Sequence, residues 1–222
     1  SGPYWNNLHP LTGHCRESQR GPRAMTKVKI CGLTRLEDAR AAANFGADAL
    51  GFVHEPNSPR FIGDDEPKWV ADLDPFVLKV AVFGNVNRVP GKTYFDFVQG
   101  VDWDLFPEPA TKRIRVIRLL KGQTAQDHTD QTINAAAILL DAYRPDAYGG
   151  TGHKVDWDIA AEIVQRSQRP VILAGGLTPE NIQDAIRRVR PYAVDVSSGI
   201  ESAPGIKNLE KMRTFIELAK SA

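Results

Sequence analysis

A single (β/α)8 TIM barrel of the α/β class is the architecture this sequence predicts, and three observations point to it. Short apolar, β-branched runs alternate with amphipathic segments of helical period along most of the chain, the pattern of parallel strands joined by crossover helices. Eight such strand candidates favour a closed barrel over the doubly wound open sheet, which shows similar alternation and which composition alone does not exclude. With 222 residues and a hydrophobic fraction of 42%, the chain suits one α/β domain with a sizeable core.

The strand candidates are Val28–Cys31, Ala47–His54, Val77–Phe83, Phe95–Gln99, Ile114–Leu120, Ala137–Ala142, Val171–Ala174 and Ala193–Val196. Amphipathic helices are expected at Leu36–Phe45, Trp157–Arg166, Pro179–Val189 and Leu209–Leu218, the last with Leu209, Met212, Ile216 and Ala219 on one face. Thr34-Arg35-Leu36-Glu37 has the Thr-x-x-Glu form of a capping box, which starts a helix directly after the first strand. Between the third and fourth strands, Gly84 to Tyr94 carries Asn85, Asn87, Pro90 and Gly91, so the helix after strand three is shortened or missing. Asp102–Arg113 is also weak, because Pro107 and Pro109 leave room for a turn or two of helix. The repeated Val-Asp-Trp-Asp at Val101–Asp104 and Val155–Asp158 reads as two helix entries capped by Asp, not as an internal duplication.

Charge and cysteine content narrow the function classes. The 28 Lys+Arg and 27 Asp+Glu give a formal charge of +1, without the basic excess that neutralises nucleic-acid phosphates. A small-molecule partner is favoured, with no nucleic acid. No apolar stretch approaches the roughly 20 residues that span a bilayer, and the expectation is a cytoplasmic protein that has no membrane partner. Of the two cysteines, Cys15 lies in a polar stretch and Cys31 in a strand, which argues against a disulfide framework. Residues 1–25 read as an N-terminal extension and 26–222 as the barrel. Ser1-Gly2 has the form of a cleavage scar and Met25 that of a natural start, and the spacing of His9, His14 and Cys15 fits no zinc pattern.

Within the barrel, the residues that carry chemistry fall at strand ends, where parallel α/β proteins place their sites. Cys31 ends the first strand and is a candidate acid or base. Asp141 ends the apolar run Ile138-Leu139-Leu140; burial there would raise its pKa and keep it protonated as an acid, while a strand-end Asp capping the next loop is the alternative. Gly175-Gly176 after the seventh strand lets the backbone approach a ligand, and Thr178-Pro179 follows as a helix start. Ser197-Ser198-Gly199 closes the next strand, and these two consecutive loops match a frequent phosphate site. Plain tight turns account for either loop taken singly. Gly149-Gly150-Thr151-Gly152 reads as a mobile loop or lid.

The ordered set Lys29-Ile30-Cys31-Gly32, Gly46-Ala47-Asp48-Ala49-Leu50-Gly51-Phe52-Val53, Ser58-Pro59-Arg60, Leu139-Leu140-Asp141, Tyr148-Gly149-Gly150-Thr151-Gly152, Gly175-Gly176-Leu177 and Asp195-Val196-Ser197-Ser198-Gly199 resembles the phosphoribosylanthranilate isomerase family along nearly all of Thr26 to Ala222. The resemblance implies a (β/α)8 barrel that performs an Amadori rearrangement in tryptophan biosynthesis on a small phosphorylated substrate, as a monomer or homodimer, with no metal or organic cofactor. It implies Cys31 as general base, Asp141 as general acid, Arg60 as the arginine that holds the anthranilate carboxylate, and Gly175, Gly176, Ser198 and Gly199 as phosphate ligands.

Lys29 lies two residues before Cys31 and so on the same side of the strand, where its charge is a source of a lowered thiol pKa. In a closed barrel the first and eighth strands are neighbours, which predicts a Lys29–Asp195 pair in the interior and puts Asp195 among the substrate-binding residues; a Lys29 reaching solvent is the alternative. The chain departs from the family at strand four, where most members carry Gln-Leu-His-Gly and this sequence has Val98-Gln99-Gly100-Val101. His54 and His153 read as exposed loop histidines without a catalytic role. The alternative function is a catalytically silent phosphosugar-binding barrel, against which the presence of both Cys31 and Asp141 argues.

Overall fold

Eight parallel strands close into a barrel in the sequential order β1 to β8 in the computed structural model, which describes residues 25–64, 67–84, 94–101, 112–119, 123–126, 128, 135–142 and 156–222. They are β1 Lys27–Cys31, β2 Ala49–Val53, β3 Leu78–Val82, β4 Phe97–Gly100, β5 Arg113–Leu119, β6 Ala137–Ala142, β7 Val171–Leu173 and β8 Ala193–Val196. Each expected strand is present within a few residues of its expected limits. Hydrogen bonding of β8 back onto β1 excludes the open doubly wound sheet.

Alternation along the strands sorts the side chains into two layers. Ile30, Leu50, Phe52, Leu140, Leu173 and Val194 face outward into the larger core. There they meet the helices α1 Leu36–Asn44, α2 Trp157–Arg166, α3 Ile182–Val189 and α4 Leu209–Ser221 through Ala39, Ile163, Ile186 and Phe215. Val80, Ile114, Leu139, Ile172 and Ala193 face inward and fill the barrel as a second, smaller cluster. Between β2 and β3 the described residues form a single 3-10 turn at Lys68–Val70, and Trp69 covers the outward face by packing edge-on against Phe52 at 5.9 Å.

Two helix starts differ from expectation. Thr34 caps nothing: α1 begins after Arg35, which has no side-chain cap, because the Thr34 hydroxyl donates to the Gly205 carbonyl at 2.6 Å instead. The helix expected from Pro179 begins at Ile182, since the Asn181 side chain accepts from Thr178 N and donates to Gly176 O, both at 2.9 Å, and holds the preceding residues as a turn. The second Val-Asp-Trp-Asp behaves as expected, with Asp156 accepting from the amides of Asp158 and Ile159 at the start of α2. Residues 1–24, residues 85–93 after the third strand, residues 102–111, which hold the first Val-Asp-Trp-Asp helix entry, Gly149–Gly152 and His153 lie outside the described residues. No helix among those described is long and apolar enough to cross a membrane.

At the seam of the barrel, Lys29 of β1 stands directly opposite Asp195 of β8. Their side chains meet at 2.7 Å, with Lys29 3% exposed, so the expected interior pair is present and Lys29 does not reach solvent. Burial works against the lysine charge, but Asp195 and the neighbouring Cys31 more than offset it and hold the Lys29 pKa above its ordinary value. Removing one partner strands the other charge in the interior. Lys29→Met should therefore lower unfolding free energy by about 3–5 kcal/mol in urea titrations, and the double variant Lys29→Met/Asp195→Leu should recover most of that loss.

Candidate active site

The residues singled out from sequence converge on one cavity at the C-terminal ends of the strands: Cys31, Arg60, Asp141, Gly175, Gly176, Asp195, Ser198 and Gly199 all line it. The parallel sheet dictates this, because every strand that faces inward delivers its last inward side chain to the same end of the barrel.

Cys31 is the last residue of β1, a buried free thiol aimed inward beside Lys29. Its neighbour across the ladder is Gly51 of β2. A Cβ on Gly51 would stand 2.9 Å from both the Cys31 sulfur and the Lys29 ammonium, so the glycine makes room for the two groups to sit side by side. Lys29 does act on the thiol in the expected direction, and Lys207 acts with it. Burial outweighs both, however, and Asp195 opposes them, so the Cys31 pKa is raised rather than lowered. The sequence reading identified the cation but not the cost of removing a thiolate from water.

Asp141 sits near the end of β6 and is half-buried rather than enclosed. Arg118 of β5 is its partner in the ladder register and lines the same cavity. Arg60 follows β2 and is buried, with its amide donating to the Ser58 hydroxyl at 3.2 Å. Its guanidinium already grips a carboxylate of the protein: Nε and Nη2 donate to the two oxygens of Glu201 at 2.8 and 2.7 Å. Gly32, at φ +72°, lies against the Arg60 stem, and any Cβ there would collide with the Arg60 Cδ.

On the far side, Gly175 and Gly176 adopt φ of +83° and +68°, left-handed geometry that a glycine takes without penalty. Gly199 lies in the 3-10 turn Ser198–Ile200 so close to the Leu177 carbonyl that a Cβ would clash with it. The loops after β7 and β8 are thereby pressed together, with bare backbone facing the cavity.

Three polar or charged side chains that line the cavity, Gln99, Glu55 and Arg118, are not evident from the sequence motifs. Gln99 on β4 is 5% exposed and its Oε1 has no hydrogen-bond partner among the described residues. It occupies the strand-four position next to the absent histidine, and the alternation Phe97–Val98–Gln99 was the available signal. Glu55 is buried in the loop after β2 and its carboxylate accepts from the Asn57 side chain at 3.2 Å. Arg118 continues the inward row Ile114–Val116. His54, expected on an exposed loop, is instead buried: its ring stacks on Phe83 at 5.3 Å and its Nδ1 lies 3.1 Å from the Gly63 carbonyl. Burial lowers its pKa, with the Gly63 carbonyl opposing. It packs under the loop and does not line the cavity.

A closed eight-stranded parallel barrel whose C-terminal face joins titratable side chains to two bare glycine loops has the architecture of a (β/α)8-barrel enzyme with its cavity in the usual place. Residues 28–218 match the profile of the N-(5'-phosphoribosyl)anthranilate (PRA) isomerase family. A relative from Geobacter metallireducens bearing that name is 47% identical over 207 residues, covering 89% of this chain and all of the relative. The crystal structure of the Thermotoga maritima phosphoribosyl anthranilate isomerase superposes with a TM-score of 0.74 at 35% identity, over 89% of this chain and all of that one. A second structure of such an isomerase, in complex with reduced 1-(o-carboxyphenylamino)-1-deoxyribulose 5-phosphate, superposes at 0.71 with 32% identity and the same coverage. The chain belongs to the N-(5'-phosphoribosyl)anthranilate isomerase family, and it is an isomerase of tryptophan biosynthesis.

The raised thiol is directly measurable. In a Cys15→Ser background, the rate of Cys31 alkylation by iodoacetamide should rise with pH to a midpoint above that of N-acetylcysteine titrated alongside. A midpoint below that reference would mean that Lys29 and Lys207 outweigh burial.

Proposed function

We propose that this cavity opens the ribose ring of N-(5'-phosphoribosyl)anthranilate and rearranges it to 1-(o-carboxyphenylamino)-1-deoxyribulose 5-phosphate, in the cytoplasm, with Cys31 and Asp141 as the acid–base pair. The single observation that carries this reading is the delivery of a thiol and a carboxyl group to one cavity from two non-adjacent strands, β1 and β6.

The substrate has two anionic ends, and the cavity offers a place for each. Its phosphate rests on backbone N–H groups of Gly175, Gly176, Ser198 and Gly199, where the loops after β7 and β8 leave no side chain in the way. Its anthranilate carboxylate lies at Arg60. Stretched between these ends, the ribose places its ring oxygen toward Asp141 and its C2′ hydrogen toward Cys31. Asp141 donates a proton to the ring oxygen, the C1′–O bond breaks, and the anilino nitrogen supplies the electron pair that forms the protonated Schiff base. Cys31, as thiolate, then takes the C2′ proton, which leaves an enolamine that tautomerises to the ketone.

Lys29 and Lys207 favour the thiolate as it forms, against the burial that disfavours it. Asp195, held by Lys29, turns its carboxylate toward the sugar hydroxyls.

Turnover of freshly generated phosphoribosylanthranilate, followed as loss of its fluorescence, tests the assignment. Cys31→Ser and Asp141→Asn should each lose at least about a hundredfold in kcat with far-ultraviolet circular dichroism unchanged. Near-parental rates in either folded variant would remove that residue from the mechanism. An inactive parent that still binds a product analogue would indicate a silent phosphosugar-binding barrel.

A further inference from the structure

After β8 the chain forms a small hairpin, β9 Glu201–Ala203 and β10 Ile206–Lys207, joined through Gly205 at φ +79°. It folds back over the ends of β1 and β2. The Thr34 hydroxyl pins the hairpin tip by its bond to Gly205 O, and at the other end the Lys207 amide donates to buried Asp38 at 3.1 Å. The Lys207 ammonium is fully buried and makes three contacts: the Cys31 carbonyl at 2.6 Å, the Ser197 carbonyl at 3.2 Å and the Glu201 carboxylate at 2.8 Å. An ammonium has three donors, so none is left over.

Glu201 takes this ammonium on Oε1 and the Arg60 fork on both oxygens. The cluster therefore sets one carboxylate against two cations, Arg60 and Lys207. Burial alone would raise the Glu201 pKa, but the two cations hold it below the usual carboxylate range, and Glu201 stays ionised.

A guanidinium presents two forked edges to carboxylates. Glu201 occupies the edge made by Nε and Nη2, which fixes the plane of the group. The other edge, Nη1 with the second hydrogen of Nη2, makes no hydrogen bond among the described residues and belongs to a side chain that lines the cavity. We propose that Glu201, anchored by Lys207, is a positioning residue that orients Arg60 so that its outer edge meets the substrate carboxylate. Built on the reading that Arg60 binds that carboxylate, the proposal adds what aims it. Lys207 ties the device to the site on both sides, because the same ammonium grips the carbonyl of Cys31 and that of Ser197, next to the phosphate loop.

The test compares two substrates, N-(5'-phosphoribosyl)anthranilate and N-(5'-phosphoribosyl)aniline, which lacks the carboxylate. In Glu201→Gln the ratio of their kcat/KM values should fall about tenfold or more, mainly through a higher KM for the anthranilate compound while its kcat holds. Glu201→Asp keeps the charge that Lys207 needs but withdraws the fork from Arg60, so it should show the same loss of ratio even if Glu201→Gln does not fold. Equal losses on both substrates, or an unchanged ratio in a folded variant, would overturn the positioning role. A parent chain that turns over neither substrate would instead overturn the isomerase reading itself.

Discussion

Closure of β1 against β8 is the constraint on which the rest of this structure depends. The seam is made where Lys29 and Asp195 face each other inside the barrel, an arrangement that takes two charges out of water and repays the desolvation with a 2.7 Å ion pair. Because strand residues alternate, fixing Lys29 inward also fixes Cys31 inward two residues later, and fixing Asp195 inward sends Ser197 to the same rim. The thiol and the loop after β8 become neighbours through a pairing between residues 166 positions apart in the chain.

Around that seam the site is an arrangement of alternating charge. Lys29 stands below the thiol, flanked by Asp195; Lys207 stands behind its carbonyl, flanked by Glu201; Arg60 lies on the far side of Glu201. Each cation has a carboxylate within hydrogen-bond reach, which is what allows several ionised groups to share a largely buried volume. The thiol has no anion-stabilising hydrogen bond strong enough to cancel its burial, and its raised pKa follows. Glycines at 32, 51 and 199 are the steric counterpart of this crowding, since a side chain at each would run into Arg60, Cys31 with Lys29, or Leu177.

Much of the fold was legible locally. Apolar alternation located every strand, because residues buried on both faces of a parallel sheet read as continuous runs of Val, Ile and Leu. Strand ends pointed to Cys31, Asp141 and Asp195, and the small residues after β7 and β8 to two loops, and all of these line the cavity. What local reading missed falls mostly under one cause. Thr34 left its helix cap for Gly205 O, Asn181 replaced Thr178 at the start of α3, Arg60 was found already gripping Glu201, and His54 was buried against Phe83. For Thr34, Arg60 and His54 a partner distant in sequence outcompeted the local one, whereas Asn181 won through bonds to its own neighbours Thr178 and Gly176. A side-chain donor takes the acceptor that tertiary packing brings closest, whatever its sequence neighbours offer.

The sequence by itself therefore determined the eight-stranded barrel, the strand ends that line its cavity and the family, since strand periodicity and ordered motifs are properties of the chain read in one dimension. Only the tertiary structure decided the net direction of the Cys31 pKa and the role of the β9–β10 hairpin as the common anchor of Cys31, Ser197 and, through Glu201, Arg60. The physical reason is that desolvation and ion pairing depend on what surrounds a group in three dimensions, and no spacing along a strand records how much water closure of the barrel removes.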